Sequence, residues 1–327
     1  MNKFNALFLE KNGNQQSLTY KKISENQLME GDTLVKIDYS TLNYKDALAI
    51  TGKRPIIRKW PMIPGVDFAG IVKQTSNNKF SVGDKVVING YGIGENHFGG
   101  FAEIARVNSN WLVKIPKNLN SFEAMSIGSA GLTSMLCIME IQKHLSSKNG
   151  KILVTGATGG VGSIATMILS KLGFYVVVCS GKSKKDFLKS LGAKEVIERD
   201  FFNEDEKLLA HQEWHGVIDV VGSKTLAKIL SQTYYGGIVV ACGLAQGTDL
   251  PTNMMPFIIR AITLKGIESI NTDINLKIEA WKLLSNLVDK QILKKLTSVI
   301  KFSEIELYSK KLINSEIIGR IVIDINQ

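Results

Sequence analysis

Cysteine is scarce: Cys137, Cys179 and Cys242 are the only three in 327 residues, far apart and each in an apolar neighbourhood. Separated thiols exclude a disulfide framework and a four-thiol zinc lobe, and they read as buried thiols of a reducing compartment. Long apolar runs are lacking too. No segment approaches the roughly 18 consecutive apolar residues of a membrane span. The apolar patch within MNKFNALFLEKNG is five residues long, too short for the core of a secretory signal. The expectation is a cytoplasmic protein with no membrane partner. Acidic residues are the minority, 30 against 40 basic, which leaves a net charge of +10 and a pI of about 9.3. Much of the excess is lysine spread over helices, at Lys182, Lys184, Lys185, Lys189, Lys294, Lys295, Lys310 and Lys311. Such lysines read as solvated faces, and aromatic residues are not interleaved with them, so no nucleic-acid partner is expected. The phosphates of a doubly phosphorylated cofactor or substrate are a simpler counter-charge.

What is present is an ordinary globular composition, 44% hydrophobic and 21% charged, in a chain long enough for two domains. Its organising stretch is Lys151 to Ser170, KILVTGATGGVGSIATMILS. The short run Ile152, Leu153, Val154 reads as a strand buried on both faces of a parallel sheet. Glycines follow at once, at Gly156, Gly159, Gly160 and Gly162, and then Ile164, Ala165, Ile168 and Leu169 recur at helical spacing. A strand, a glycine turn and a helix place free N–H groups and a helix dipole where a pyrophosphate can sit. The fingerprint G-x-G-x-x-G, aligned on Gly159 and Gly162, has Ala157 in place of its first glycine, which predicts a slightly wider turn. Thr158, Gly159, Gly160, Val161 and Gly162 are thus the candidate phosphate loop.

Before this stretch, short alternating runs at Ala6 to Leu9, Thr33 to Ile37, Gly70 to Lys73, Lys85 to Ile88 and Ala102 to Val107 predict a compact antiparallel β domain. A short helix after a polar cap at Asn43 interrupts them, and apolar helices over Ser121 to Met139 lead into the next domain. After it, strands and helices alternate as far as Thr263 to Gly266, the pattern of a doubly wound parallel sheet. A tail with two helices and a strand at Arg320 to Ile325 returns to the first domain. The expected division is 1–121 with 268–327 and, between them, 122–267.

After the second strand of the parallel sheet, an enzyme for NAD places an acidic residue on the adenosine ribose. This chain offers Ser180, Gly181 and Lys182 there instead. A hydroxyl and a cation suit a 2′-phosphate, so the expected cofactor is NADPH.

Several stretches now match a known family together: LNYKDALAITGK at 42–53, PMIPGVDFAG at 61–70, VGDKV at 82–86, GGFAE at 99–103 and the glycine loop. The chain resembles the medium-chain dehydrogenase/reductase superfamily in its quinone-oxidoreductase branch. Within that branch YGIGENHFGGFAE, IGSAGLTSMLC, ACGLA and MPFIIR resemble the acrylyl-CoA reductase group. The resemblance implies an α/β fold, a GroES-like β-rich catalytic domain made from both chain ends and a Rossmann domain between them, with the active site in the cleft. It implies a homodimer paired through Rossmann edge strands, with Thr263 to Gly266 as the edge. Where zinc enzymes of the superfamily read G-H-E, this chain has Gly65, Val66 and Asp67, and no cysteine precedes residue 137, so no metal is expected. The resemblance further carries cofactor contacts onto Arg199, Tyr44, Leu244, Ile258, Ser269 and Asn326.

Without a Lewis acid, reduction of an activated C=C or a quinone becomes the natural chemistry. For an acryloyl thioester, hydride goes to the β-carbon, and the enolate oxygen and α-carbon then need a stabiliser and a proton. Tyr44 is the first candidate, with Asn43 and Lys45 beside it; the alternative is that Tyr44 packs on the nicotinamide ribose. Asp67 reads as a structural carboxylate in the turn after Pro64-Gly65. Asn96 and His97 either line the substrate pocket or serve only the loop. The leading reading is an acryloyl-CoA reductase; a quinone reductase and an NADPH-binding nucleic-acid-associated protein are its rivals.

Overall fold

The computed structural model describes residues 3–13, 15–181, 184–202 and 208–327. In chain order the elements are β1 (Phe4–Asn12), β2 (Gln15–Ile23), β3 (Thr33–Thr41), α1 (Tyr44–Ile50), β4 (Asp67–Thr75), β5 (Lys85–Asn89), β6 (Ile104–Val107), β7 (Val113–Lys114) and α2 (Ser121–His144). There follow β8 (Lys151–Val154), α3 (Gly160–Lys171), β9 (Tyr175–Ser180), α4 (Lys185–Ser190), β10 (Glu195–Glu198), β11 (Trp214–Asp219), α5 (Ser223–Ser231), β12 (Thr233–Ala241), α6 (Met255–Arg260) and β13 (Thr263–Gly266). The chain continues with α7 (Ile274–Leu287), α8 (Lys290–Leu296), β14 (Thr297–Lys301), α9 (Ile305–Ile313) and β15 (Arg320–Asp324).

These elements form two units. The first comprises Met1–Ser129, Ser269–Ser285 and Leu293–Gln327, and the second comprises Ala130–Glu268 and Asn286–Ile292. The first border lies within α2, which is interrupted at Gly128, where φ is 52° and ψ is −160°. That helix is long and apolar enough to cross a membrane, yet 83% of its most apolar window is buried within the protein.

In the second unit six strands lie in the order β10-β9-β8-β11-β12-β13, every neighbouring pair parallel. By order of appearance this is the doubly wound arrangement, and its strand order reverses between β8 and β11. The strands are the short β-branched runs that such a sheet demands, since helices cover both faces. Leu153, Val177, Val217 and Val239 are fully buried in one core cluster with Ile229 and Leu230 of α5. Fully burying each such side chain contributes about 1.5–3 kcal/mol.

The first unit holds a seven-stranded sheet in the order β14-β15-β3-β4-β5-β7, with β6 paired to β3, and the separate hairpin β1-β2. Apart from the parallel pair β14-β15 its ladders are antiparallel. Its core holds Leu7, Leu9, Ile37, Phe68, Ile88 and Phe101, none more than marginally exposed. A buried cation pins α7 within this unit: Lys277 Nζ donates to the carbonyl oxygens of Asn89 at 2.7 Å and Ile270 at 2.9 Å, and lies 3.6 Å from the centre of the Tyr91 ring. Beside it the indole N–H of the fully buried Trp281 donates to Asn89 Oδ1 at 3.1 Å.

Candidate active site

In the second unit the predicted phosphate loop leaves β8 at its carboxyl end. Gly156, with φ +58°, makes the turn; a side chain there would collide with Val220. The chain needs a glycine at this position and not at Ala157, which is fully buried. A Cβ on Gly162 would stand 2.5 Å from the Gly156 carbonyl oxygen and 2.7 Å from Ala157 Cα. Gly162 therefore lets α3 start hard against the strand, as the last glycine of the fingerprint does. Gly159 is the N-cap of α3 and no side chain caps the helix. The N–H groups of its first turn, at Gly160 and Val161, are thus left for an anion.

The loop is anchored from below by a buried carboxylate that the sequence reading missed. Asp219, at the end of β11, accepts from Thr155 Oγ1 at 2.7 Å and from the Gly222 N–H at 2.7 Å, and Thr155 Oγ1 accepts from the Val220 N–H at 3.0 Å. Burial pushes the Asp219 carboxyl above its ordinary range, and these donors oppose that shift. Asp219 so joins the loops after β8 and β11, the two strands at which the sheet order reverses.

The predicted ribose-phosphate residues also meet. Ser180, buried at the end of β9, has its hydroxyl 3.3 Å from that of Thr158. The Arg199 guanidinium lies over Gly181 so closely that a Cβ on Gly181 would overlap it. Lys182 lies outside the described residues. Leu244 follows β12 and is 61% exposed, while Ile258 on α6 is 70% exposed. The 243–247 loop packs over Gly222, where a Cβ would lie 3.5 Å from Leu244 Cα. Cys179 beneath Ser180 is pushed up to about 11, by burial above all.

Tyr44, Asn43, Asn96, His97, Ser269 and Asn326 belong to the first unit. Asn43 caps α1, and its N–H donates to Asp46 Oδ2 at 2.9 Å. This reciprocal cap orients a helix too short to be stable alone. The Asn43 amide donates to Thr41 Oγ1 at 2.8 Å and to both Asp67 oxygens at 3.2 Å, and its oxygen accepts from Arg320 Nη1 at 3.3 Å. Asp67 opens β4 instead of sitting in the preceding turn, and it also accepts from Thr41 Oγ1 at 2.5 Å and the Ser129 N–H at 2.7 Å. Arg320 is wholly buried and donates from Nε to the Ser126 carbonyl at 3.0 Å, while its Nη2 has no partner among the described residues.

Two carboxylates and one guanidinium are therefore enclosed beneath α1. Burial, then the like charge of Asp67, raises the Asp46 carboxyl to about 7. Burial also pushes the Arg320 guanidinium below its ordinary value, opposed by Asp67 and Asp46. What this foundation presents is Tyr44, first residue of α1 and 48% exposed, whose hydroxyl has no partner among the described residues. Next to it Lys45 Nζ lies 2.5 Å from Glu95 Oε1.

The other first-unit candidates are placed differently. Both ring nitrogens of His97 face carbonyl oxygens, Nε2 that of Glu30 at 2.9 Å and Nδ1 that of Phe98 at 3.2 Å, and its ring stands edge-on to Trp111. Its polar atoms are thereby committed to the loop. Asn96 is exposed and folds over Gly92. Asn326 Nδ2 donates to the Asp38 carbonyl at 3.3 Å, just beyond β15, and Ser269 opens the segment in which the chain returns to the first unit. A cavity of about 510 Å³ opens beside Ile50 and Thr51, at the end of α1 away from Tyr44, and none of the predicted site residues lines it.

Known proteins give the site a context. Residues 160–288 match the family described as zinc-binding dehydrogenase, and residues 29–117 the alcohol dehydrogenase GroES-like domain. An Escherichia coli K12 protein named "Probable acrylyl-CoA reductase AcuI" is 46% identical over 323 residues, covering 98% of this chain and 99% of its own. The acrylyl-CoA reductase AcuI of Ruegeria pomeroyi is 38% identical over 328 residues, with 99% of each chain covered. The crystal structure of the yhdH oxidoreductase of Salmonella enterica, in complex with NADP, superposes with a TM-score of 0.95 at 44% identity, over 98% of this chain and 99% of that one.

Proposed function

The chain belongs to the acrylyl-CoA reductase group of the medium-chain dehydrogenase/reductase superfamily, and from that premise we propose how its own residues carry out the group's reaction. That reaction is the NADPH-dependent reduction of the activated C=C of acryloyl-CoA to propanoyl-CoA, without zinc. When bound, NADPH supplies the hydride. Thr158 to Gly162 hold its pyrophosphate on the first turn of α3, a fit supported by the N-cap Gly159, which leaves that turn without a side-chain cap. Ser180, Gly181 and Arg199 receive the 2′-phosphate, where a guanidinium makes charge-assisted bonds and an acidic residue would repel. Lys182 adds to that charge, and Leu244, Ile258, Ser269 and Asn326 complete the cofactor contacts.

The observation that carries the catalytic part is the hydroxyl of the exposed Tyr44, without a partner among the described residues, at the head of a helix whose base is locked by Asn43, Asp46 and Asp67. There it holds the thioester oxygen as charge develops or delivers the proton to the α-carbon. Asn43 acts by fixing the helix, and we read Asn96 and His97 as shaping the loop at the edge of the substrate pocket. We further propose that the protein is a cytoplasmic homodimer paired through β13, the edge of the parallel sheet.

Steady-state rates with NADPH and acryloyl-CoA, crotonoyl-CoA or a benzoquinone test this. Acryloyl-CoA should give the largest kcat/KM; a benzoquinone preference would replace the reading with a quinone reductase. Fluorescence titration should find NADPH bound at least about tenfold more tightly than NADH, about 1.4 kcal/mol. Equal dissociation constants would remove the phosphate role of Ser180 and Arg199.

A further inference from the structure

Between Asp46 and Asp67 the chain has no acidic residue, and it has four basic ones, Lys53, Arg54, Arg58 and Lys59. All four are exposed, and among the described residues none of them makes an ion pair. Other lysines of the same unit do find carboxylates, as Lys21 finds Glu10, Lys114 finds Asp84 and Lys310 finds Glu306. Exposed cations that lie close in sequence and make no ion pair leave positive charge for an external anion to meet.

The backbone beneath them is fixed. The Lys53 N–H donates to the Leu48 carbonyl at 3.1 Å and the Ile56 N–H to that of Arg54 at 2.8 Å, Ile57 is buried, and Met62 and Leu9 exchange both of their backbone hydrogen bonds. The N–H groups of Arg58 and Lys59 both donate to the Glu95 carbonyl, at 2.8 and 3.2 Å. Glu95 in turn holds Lys45, the neighbour of Tyr44. The cations thus flank the helix that presents the Tyr44 hydroxyl, and they are carried on a backbone that pays little further ordering on binding.

One small anion has no use for four cations spread along seven residues. A molecule with several phosphates does, and the acyl-CoA substrate carries a pyrophosphate and a 3′-phosphomonoester at the end remote from its thioester. We propose that Lys53, Arg54, Arg58 and Lys59 dock the 3′-phospho-ADP end of the acyl-CoA. The inference rests on the acryloyl-CoA reading and adds to it where the substrate's charge is recognised. The pantetheine arm then spans the stretch from this segment to Tyr44.

The test compares acryloyl-CoA with acryloyl-pantetheine, which has the same thioester and no nucleotide. It uses the NADPH-loaded wild type and the combined variant Arg54→Gln, Arg58→Gln, Lys59→Gln, with melting curves to confirm folding. The preference in kcat/KM for the CoA thioester should fall by about tenfold or more in the variant, mostly through KM, and lose much of its salt dependence. Titration of free coenzyme A into the same samples should show a similar loss without any turnover. A preference that is the same in both proteins, with unaltered coenzyme A affinity, would overturn the docking assignment while acryloyl-CoA reduction stands. Coenzyme A binding lost in the variant, with neither thioester reduced by the wild type, would keep the docking site and sink the substrate. Weakened binding of a DNA duplex with coenzyme A affinity untouched would also overturn it, in favour of a nucleic-acid surface.

Discussion

Tyr44 and Asp46 are two positions apart on α1, one exposed and the other buried. Tyr44→Phe removes the hydroxyl oxygen and keeps the ring. The hydride step should slow by about 10²-fold, the low end for a general acid, with NADPH affinity little altered. Single-turnover rates with deuterated cofactor read this, and an unchanged rate would hand the proton to solvent or another polar group. Asp46 makes a prediction about pH. Its carboxyl lies near 7 when folded against an ordinary 3.8, so between those values the folded protein holds a proton that the unfolded chain has lost. Its contribution to stability therefore falls as pH rises from about 4 to about 7, with a slope of at most about 1.4 kcal/mol per pH unit. Asp46→Asn deletes the titration, so its melting temperature should drop less than that of the wild type between pH 5 and pH 8; equal drops would mean that Asp46 is charged throughout. Asn43 was legible as a cap because a polar residue stands just before a helical spacing. The cluster beneath it was not, since Arg320 reaches Asn43 across 277 positions and no local pattern signals that meeting. His97 shows the converse: the sequence left it between pocket and loop, and only the folded chain brings its ring nitrogens against the carbonyl oxygens of Glu30 and Phe98.

Elements whose pattern is their own burial were readable, and those that borrow their order from a neighbour were not. The strand, glycine turn and helix of β8 and α3 fell where Ile152 to Val154 and the 3.6-residue spacing predicted. Only the assignment of the turn changed, because the positive φ belongs to Gly156 and the alignment on Ala157 could not display it. By contrast β2 (QQSLTYKKI) is mostly exposed, has no apolar face, and exists through its register with β1 from Phe4↔Ile23 to Asn12↔Gln15. Within α2 the break at Gly128 was equally hidden. A Cβ there would meet Arg320 Nη2 at 2.5 Å and Asp67 Oδ2 at 3.1 Å, in a backbone region that is almost glycine-only. Gly128→Ala should therefore destabilise the protein by about 2 kcal/mol or more, seen as a lower urea midpoint. A midpoint equal to that of the wild type would show that the cluster yields freely.

At the scale of the whole molecule the parallel sheet ends at β13, whose outer edge has no partner strand among the described residues. An open edge is a template for pairing, and two copies joined edge to edge close on themselves about a two-fold axis. Sedimentation velocity should show a dimer that Leu264→Asp, in the middle of that strand, converts to monomer; a monomeric wild type would remove the proposal. The alternation of strand and helix that revealed this sheet lies in one continuous stretch, whereas the other sheet joins β3 to β15 from opposite parts of the chain. That difference sets an order of assembly during synthesis. The six parallel strands can collapse as soon as β13 has emerged from the ribosome, while β3, already long exposed, must wait for β15 before Arg320 can neutralise the charges under α1. For that interval the nascent protein carries an unfinished sheet with one edge bare, and it is then, more than after release, that a chaperone has something to hold.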